Sequence, residues 1–402
     1  MESEKEVISL TKLNFDEVIE RRGTGCEKWD ALKEFFGRED LVALWVADMD
    51  FKAPPEVVEA FKKAVEHGIF GYTHRLEEYY EAIIGWVERH HNWKIKREWI
   101  SHSPGVIPGI NVAILALTVP GDKIIIQPPV YPPFRRSILE NGRQLVYNPL
   151  RLEGNRFVMD FEDLERKIDD RTRMLILCSP HNPGGRVWTK EELKTLSEIC
   201  LKHNLIVLSD EIHCDIVFKG YKHIPLQTVS EEIAQRSIAF ISPSKTFNLA
   251  GLRTSVAIIP NENIRKAYNA VLKALNIGEA NTFGMIALEA AYKHGDAWLN
   301  ELLSYLEGNL KFLDEFFKER IPELELMPPE GTYVPLVNCE KLKMTPKELW
   351  ELFIEKAHVA VNLGANYGPG GENFIRINIA TPRKILKEGL ERIEKAIHHS
   401  KL

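Results

Sequence analysis

Cysteine is scarce in this sequence and shows no pairing pattern. There are five in 402 residues (Cys26, Cys178, Cys200, Cys214 and Cys339), odd in number and with no Cys-x-x-Cys pair. Neither a disulfide framework nor a zinc ribbon is suggested, and the reduced thiols of a cytosolic protein fit better. Cys214 reads as a buried small hydrophobe. Basic charge is not in surplus either: 52 lysines and arginines face 58 carboxylates, a formal net charge of -6. The cations are scattered among acids, as on solvated helix faces, and no basic stripe with interleaved aromatics appears. Nucleic acid is therefore not an expected partner. No apolar run approaches the roughly 20 residues of a membrane span. The start, Met1-Glu2-Ser3-Glu4-Lys5-Glu6, lacks the apolar core of a signal peptide. Internal repeats and low-complexity linkers are missing too. A cytoplasmic protein with no membrane partner and no metal site is expected. The chain is longer than one core usually organises, so two domains are the starting expectation.

What is present is alternation. From Pro54 a helical pattern begins, with Val57, Val58, Phe61 and Ala64 at helical spacing. Apolar runs then recur at 123–127, 145–147, 174–178, 205–208, 237–241 and 255–259. Helical stretches separate several of them, one opened by a capping box at Thr189 and Glu192. This predicts an α/β fold with a mainly parallel sheet covered on both faces. Beyond Gly284 come long helices through Arg320, then strand-like stretches at 331–337 and 373–379, and a last amphipathic helix from about Arg383 to His398. These predict a large domain at 52–290 and a smaller α+β domain formed by 1–51 and 291–402.

In such sheets ligands sit at the carboxyl ends of the strands, and polar residues cluster there. Asp210 follows Leu205-Ile206-Val207-Leu208, Lys245 follows Ile238-Ala239-Phe240-Ile241, and Asn182 follows the run at 174–178. One strand end offers an amine able to form a Schiff base with an aldehyde. Another offers a carboxylate able to hold a protonated pyridine nitrogen. Pyridoxal phosphate chemistry needs that pair. A phosphate monoester needs helix-start amides, a hydroxyl and a cation. Ser103-Pro104-Gly105-Val106-Ile107 precedes an apolar helix and can present its N–H groups, while Ser242 and Arg253 flank the lysine. Each feature has a plainer explanation by itself. Asn182-Pro183-Gly184 is turn chemistry, Tyr131 is a packing residue beside prolines, Arg376 a surface ion-pair partner, and Lys245 a solvated loop lysine. Their convergence favours the site.

Together these segments resemble the fold-type I pyridoxal phosphate enzymes of the class I/II aminotransferase superfamily, from roughly Trp45 to Pro382. Carried over position by position, the resemblance implies that Lys245 is the Schiff-base lysine and Asp210 the partner of the pyridine nitrogen. It implies that Asn182 bonds the cofactor's phenolic oxygen and Tyr131 stacks on its ring. Ser242, Arg253 and the backbone at Val106 and Ile107 would hold the phosphate. Arg376, with Asn182 and Ala47, would bind the substrate, Arg376 at the α-carboxylate. Tyr72 would reach the phosphate of a neighbouring subunit, which implies a homodimer with shared sites. Trp45-Val46-Ala47-Asp48-Met49-Asp50-Phe51 and Ser209-Asp210-Glu211-Ile212-His213-Cys214-Asp215 resemble the cystathionine β-lyase (C–S lyase) branch. His213 stands where most aminotransferases of the superfamily carry a tyrosine bonded to the phenolic oxygen. The expected activity is β-elimination on cystathionine or a related sulfur amino acid, giving a thiol, pyruvate and ammonia. The alternatives are an aminotransferase using 2-oxoglutarate and a regulatory protein that retains the cofactor. The presence of both Lys245 and Asp210 weighs against the last.

Overall fold

Five of the apolar runs pair side by side in parallel in the computed structural model, which describes residues 13–399. The expected absence of a signal peptide at Met1–Glu6 and the first residues of the expected small domain lie outside the described residues. In chain order the main sheet contains β1 (Ile100–Ser103), β2 (Lys123–Ile126), β3 (Gln144–Tyr147), β4 (Thr172–Cys178), β5 (Ile206–Asp210), β6 (Ser237–Ile241) and β7 (Ser255–Ile258). They lie side by side as β1-β7-β6-β5-β4-β2-β3. Strand β7 alone runs against its neighbours.

Both faces of this sheet are covered, and period-two alternation explains how. Along β4, Met174, Ile176 and Cys178 pack toward one apolar cluster with Ile110 and Tyr268. Leu175 and Leu177 point the other way, toward Leu193 and Leu196. Helices Val106–Leu117 and Glu262–Ala274 supply the first cover and Lys190–Lys202 the second. The Lys190 helix starts at the anticipated capping box, with both reciprocal bonds formed.

A four-stranded antiparallel sheet is built from Glu325–Leu326, Leu336–Asn338, Phe374–Arg376 and Asn362–Leu363, in that spatial order. The N-terminal part of the chain joins this region, because Val42–Ala43 pairs in parallel with Val359–Ala360. Among the described residues, no helix is long and apolar enough to cross a membrane.

Three local expectations differ from the structure. The helix Pro55–His67 buries Val57 completely but leaves Val58 40% exposed, so the apolar stripe is narrower than its spacing suggested. The stretch at 331–337 forms a strand only from Leu336, since Pro335 has no N–H to give a ladder. Strand β1, with the polar sequence Ile-Ser-His-Ser, was not anticipated; it is the edge strand beside β7.

Candidate active site

The carboxyl ends of β4, β5 and β6 stop at one level, because the register pairs Cys178 with Asp210 and Asp210 with Phe240. Asp210 is the last residue of its strand and is 3% exposed. Ser242 follows β6 and caps a single helical turn, Pro243–Thr246, accepting from the Ser244 N–H at 3.1 Å. Lys245 is carried on that turn. At the other rim the helix Val106–Leu117 begins after Gly105, whose φ of 122° lies where glycine alone is comfortable. Val106 and Ile107 of its first turn line the same opening.

These ends enclose a cavity of about 760 Å³, lined by Ala47, Val106, Ile107, Tyr131, Asn182, Asp210, Ser242, Lys245, Arg253 and Arg376 among others. Ten residues singled out from the sequence thus share one space. Tyr72 does not. It is fully exposed, away from this chain's cavity, in a stretch where Ile69, Phe70 and Leu76 are exposed as well. That is where a residue expected to serve a neighbouring subunit has to be.

The electrostatics are unusual in a physically consistent way. Asp210 has one backbone donor, the Ile212 N–H at 3.1 Å. Burial pushes its carboxyl up to about 7, with the charge of Glu211 adding to the effect and Lys245 opposing it. Burial likewise holds the Lys245 amine down to about 8, helped by Arg376 and opposed by Asp48, Asp210 and Glu27. Its Nζ donates to the Ala47 carbonyl at 2.6 Å, an oxygen that also accepts from the Tyr333 hydroxyl. Arg376 is buried and donates to Asn182 Oδ1 at 3.2 Å, the Trp45 carbonyl at 2.8 Å and Asn362 Oδ1 at 2.7 Å. All three acceptors are neutral, and its Nε has no partner among the described residues. A buried guanidinium without a carboxylate is a site for one.

Ser242 does not wait idle: its hydroxyl bonds the Thr254 carbonyl and Ser244 Oγ, each at 2.8 Å. Arg253 sits at φ 49° after a short 3₁₀ turn, exposed at the cavity wall. His213 lines the cavity and is 2% exposed, with Nδ1 unpartnered among the described residues. Burial, then the charges of Lys245 and Arg376, hold its imidazole down to about 3, so it is neutral at physiological pH.

Other residues in the wall or behind it were not foreseen. Tyr367 lies under Arg376, its ring centre 5.3 Å from the guanidinium carbon. Asn248 clamps the segment that contains Ala47, bonding the Met49 N–H, the Met49 carbonyl and the Phe51 carbonyl. Asn378 holds the same segment through the Val46 and Asp48 carbonyls. Asp215 secures the lysine turn: it accepts from the Thr246 hydroxyl at 2.7 Å, Trp86 Nε1 at 3.1 Å and His91 Nε2 at 2.8 Å. The only hint in the sequence was Asp215's position within the segment that begins at Ser209.

Residues 39–393 match the family model described as aminotransferase class I and II. The chain belongs to that family. It is 42% identical over 386 residues to cystathionine beta-lyase PatB of Bacillus subtilis (strain 168), covering 96% of this chain and 100% of the relative. Cystalysin of Treponema denticola, solved with a pyridoxal 5'-phosphate cofactor, superposes with a TM-score of 0.93 at 37% identity, over 96% of this chain and 99% of that one. A PLP-bound C-S lyase of Staphylococcus hominis superposes with a TM-score of 0.90 at 33% identity, over 96% and 99%. The cavity's donor set fits that cofactor. Among the described residues the buried Asp210 carboxylate has no ion-pair partner, a desolvated amine lies nearby, and the first turn of the Val106 helix and Arg253, which has no ion-pair partner there either, line the cavity.

Proposed function

We propose that this protein is a pyridoxal-phosphate-dependent carbon–sulfur lyase. It breaks the Cβ–S bond of cystathionine or a related sulfur amino acid, releasing a thiol, pyruvate and ammonia. The observation that carries the reading is the full-length 42% identity to a cystathionine beta-lyase. Residues 52–290 form the cofactor-binding domain in this reading, and 1–51 with 291–402 the smaller one.

Asp210 keeps a proton on the ring nitrogen, and its burial makes that cationic partner stabilising. Ser242, Arg253 and the amides of Val106 and Ile107 hold the phosphate; Asn182 bonds the phenolic oxygen and Tyr131 covers the ring. Bound there, pyridoxal phosphate supplies the electron sink that makes a Cα proton removable. Arg376 orients the substrate by its α-carboxylate, with Asn182 beside it. Lys245, whose amine sits near 8, removes the Cα proton at Nζ once substrate has displaced it. The Ala47 carbonyl that holds Nζ fixes where that base stands. The C–S electron pair leaves with sulfur, the proton held at Lys245 Nζ converts that thiolate to the thiol, and one water hydrolyses the remainder to pyruvate and ammonia.

The active species is a homodimer in which Tyr72 completes the neighbour's phosphate site; its full exposure beside Ile69, Phe70 and Leu76 supports this. Five free thiols suit a cytoplasmic setting. A second reading, an aminotransferase using 2-oxoglutarate, draws on the description of the family itself. The test is product analysis on L-cystathionine with no added oxo acid. Pyruvate and ammonia in equal amounts are expected. Turnover that requires 2-oxoglutarate and yields glutamate stoichiometrically contradicts the lyase and favours the alternative.

A further inference from the structure

One charged group on the cavity wall has no task in the account above. The wall opposite the sheet is made by the N-terminal segment, with Arg21, Cys26, Glu27 and Asp48 lining the cavity. Most of this charge is internally matched. Arg21 grips both oxygens of Asp48, the closer at 2.7 Å, and reaches Asp50 at 2.7 Å. The buried Lys28 pairs with Asp50 at 2.7 Å. Two cations and two carboxylates therefore neutralise one another. Glu27 is left over: its side chain is exposed, and it has no hydrogen-bond or ion-pair partner among the described residues. Its charge acts on Lys245 and Tyr131 across the cavity, so the carboxylate overlooks the reacting end rather than facing only solvent.

Taking the lyase reading as its basis, we propose that Glu27 is a specificity-determining residue that recognises an ammonium group at the far end of the sulfur substituent. A substrate held by its α-carboxylate at Arg376 and its α-amine near Lys245 has only its Cβ substituent left to reach the remaining wall. Substituents that carry an ammonium at the far end, alone or as part of the α-amino acid that ends cystathionine and cystine, then meet an uncompensated carboxylate. Uncharged substituents gain nothing there, and those ending only in a carboxylate are repelled.

The test uses the cofactor-loaded enzyme and three substrates of similar size: S-(2-aminoethyl)-L-cysteine, its uncharged isostere S-propyl-L-cysteine, and S-carboxymethyl-L-cysteine. Pyruvate formation gives kcat and KM for each. In Glu27→Gln the preference for the aminoethyl over the propyl substrate should fall about fivefold, as for an exposed ion pair, and the change should lie in KM. Glu27→Lys should turn the preference toward the carboxymethyl substrate. The wild-type preference should shrink as salt is raised, because an exposed pair is screened. Unchanged substrate ratios in both variants would overturn the assignment to Glu27 while leaving the lyase intact. Pyruvate from none of the three, and none from L-cystathionine, in the unaltered enzyme would overturn the lyase reading and this proposal with it; pyruvate from L-cystathionine but not from the aminoethyl substrate would overturn this proposal alone.

Discussion

At the residue scale, the site works by placing charged groups where water cannot fully solvate them. Asp210 is the clearest case, with its carboxyl pushed up from 3.8 to about 7. A raised carboxyl means that the folded state binds this proton more tightly than the unfolded chain does. The stabilisation is fully present below pH 4 and is lost as pH rises through about 7. In cofactor-free protein, Asp210→Asn should therefore be more stable than wild type at pH 8 by about 2–4 kcal/mol, with the gap roughly halved at pH 5 and nearly closed only below pH 4. Urea melts at the two pH values measure this, and equal stabilities at pH 8 would contradict it. The cofactor-loaded variant should lose turnover all the same. Arg376 makes the complementary case. Removing it as Arg376→Ala should weaken amino-acid binding by about 2–5 kcal/mol, seen as a raised KM for every substrate. A selective effect on one substrate would speak against a carboxylate role. Lys245, Asp210, Asn182 and Arg376 were legible because residue type and strand-end position coincide. Asn248 and Asp215 were not, since each acts through contacts with segments far away in sequence, and nor was Tyr367, whose ring lies against Arg376 across a turn that no local pattern marked.

At the element scale, the parallel strands and their helices were legible because apolar runs and caps are local signals. Strand β1 was hidden by its polar composition, and only its pairing with β7 makes it a strand. The loop that bears Asn182 shows how a long-range device fixes a short motif. Arg186 is fully buried, clamped by both oxygens of Glu192 and by Glu330, which also accepts from the Val187 N–H at 2.7 Å. Gly185, at φ 66°, packs so closely on Pro329 that a Cβ there would lie 2.7 Å from the proline's own. The Asn-Pro-Gly-Gly motif is therefore held by the loop between two strands of the small sheet, Glu325–Leu326 and Leu336–Asn338. Glu330→Gln leaves the buried guanidinium only partly compensated and should cost about 3 kcal/mol in chemical denaturation. A loss below about 0.5 kcal/mol, the range of ordinary surface changes, would show that the clamp is not structural.

At the scale of the whole molecule, two sheets and an N-terminal segment meet at one cavity, and a single chain leaves Tyr72 and its apolar neighbours facing outward. If Tyr72 completes a partner's site, mixing Tyr72→Phe chains with Lys245→Ala chains should restore activity that neither shows alone. Random assortment makes about a quarter of all sites native in such a mixture. No recovery after confirmed subunit exchange would contradict shared sites. The expected homodimer came only from resemblance, since composition and periodicity do not report on assembly, whereas the expected two-domain division came from chain length and the change of pattern beyond Gly284. The central claim is that Lys245 is the covalent anchor of the cofactor, and it can be tested directly on the intact protein. Borohydride reduction of the yellow, cofactor-loaded enzyme, followed by peptide mapping, should place a pyridoxyl group on Lys245 and abolish activity. An adduct on a different lysine, or full activity after reduction, would contradict the account.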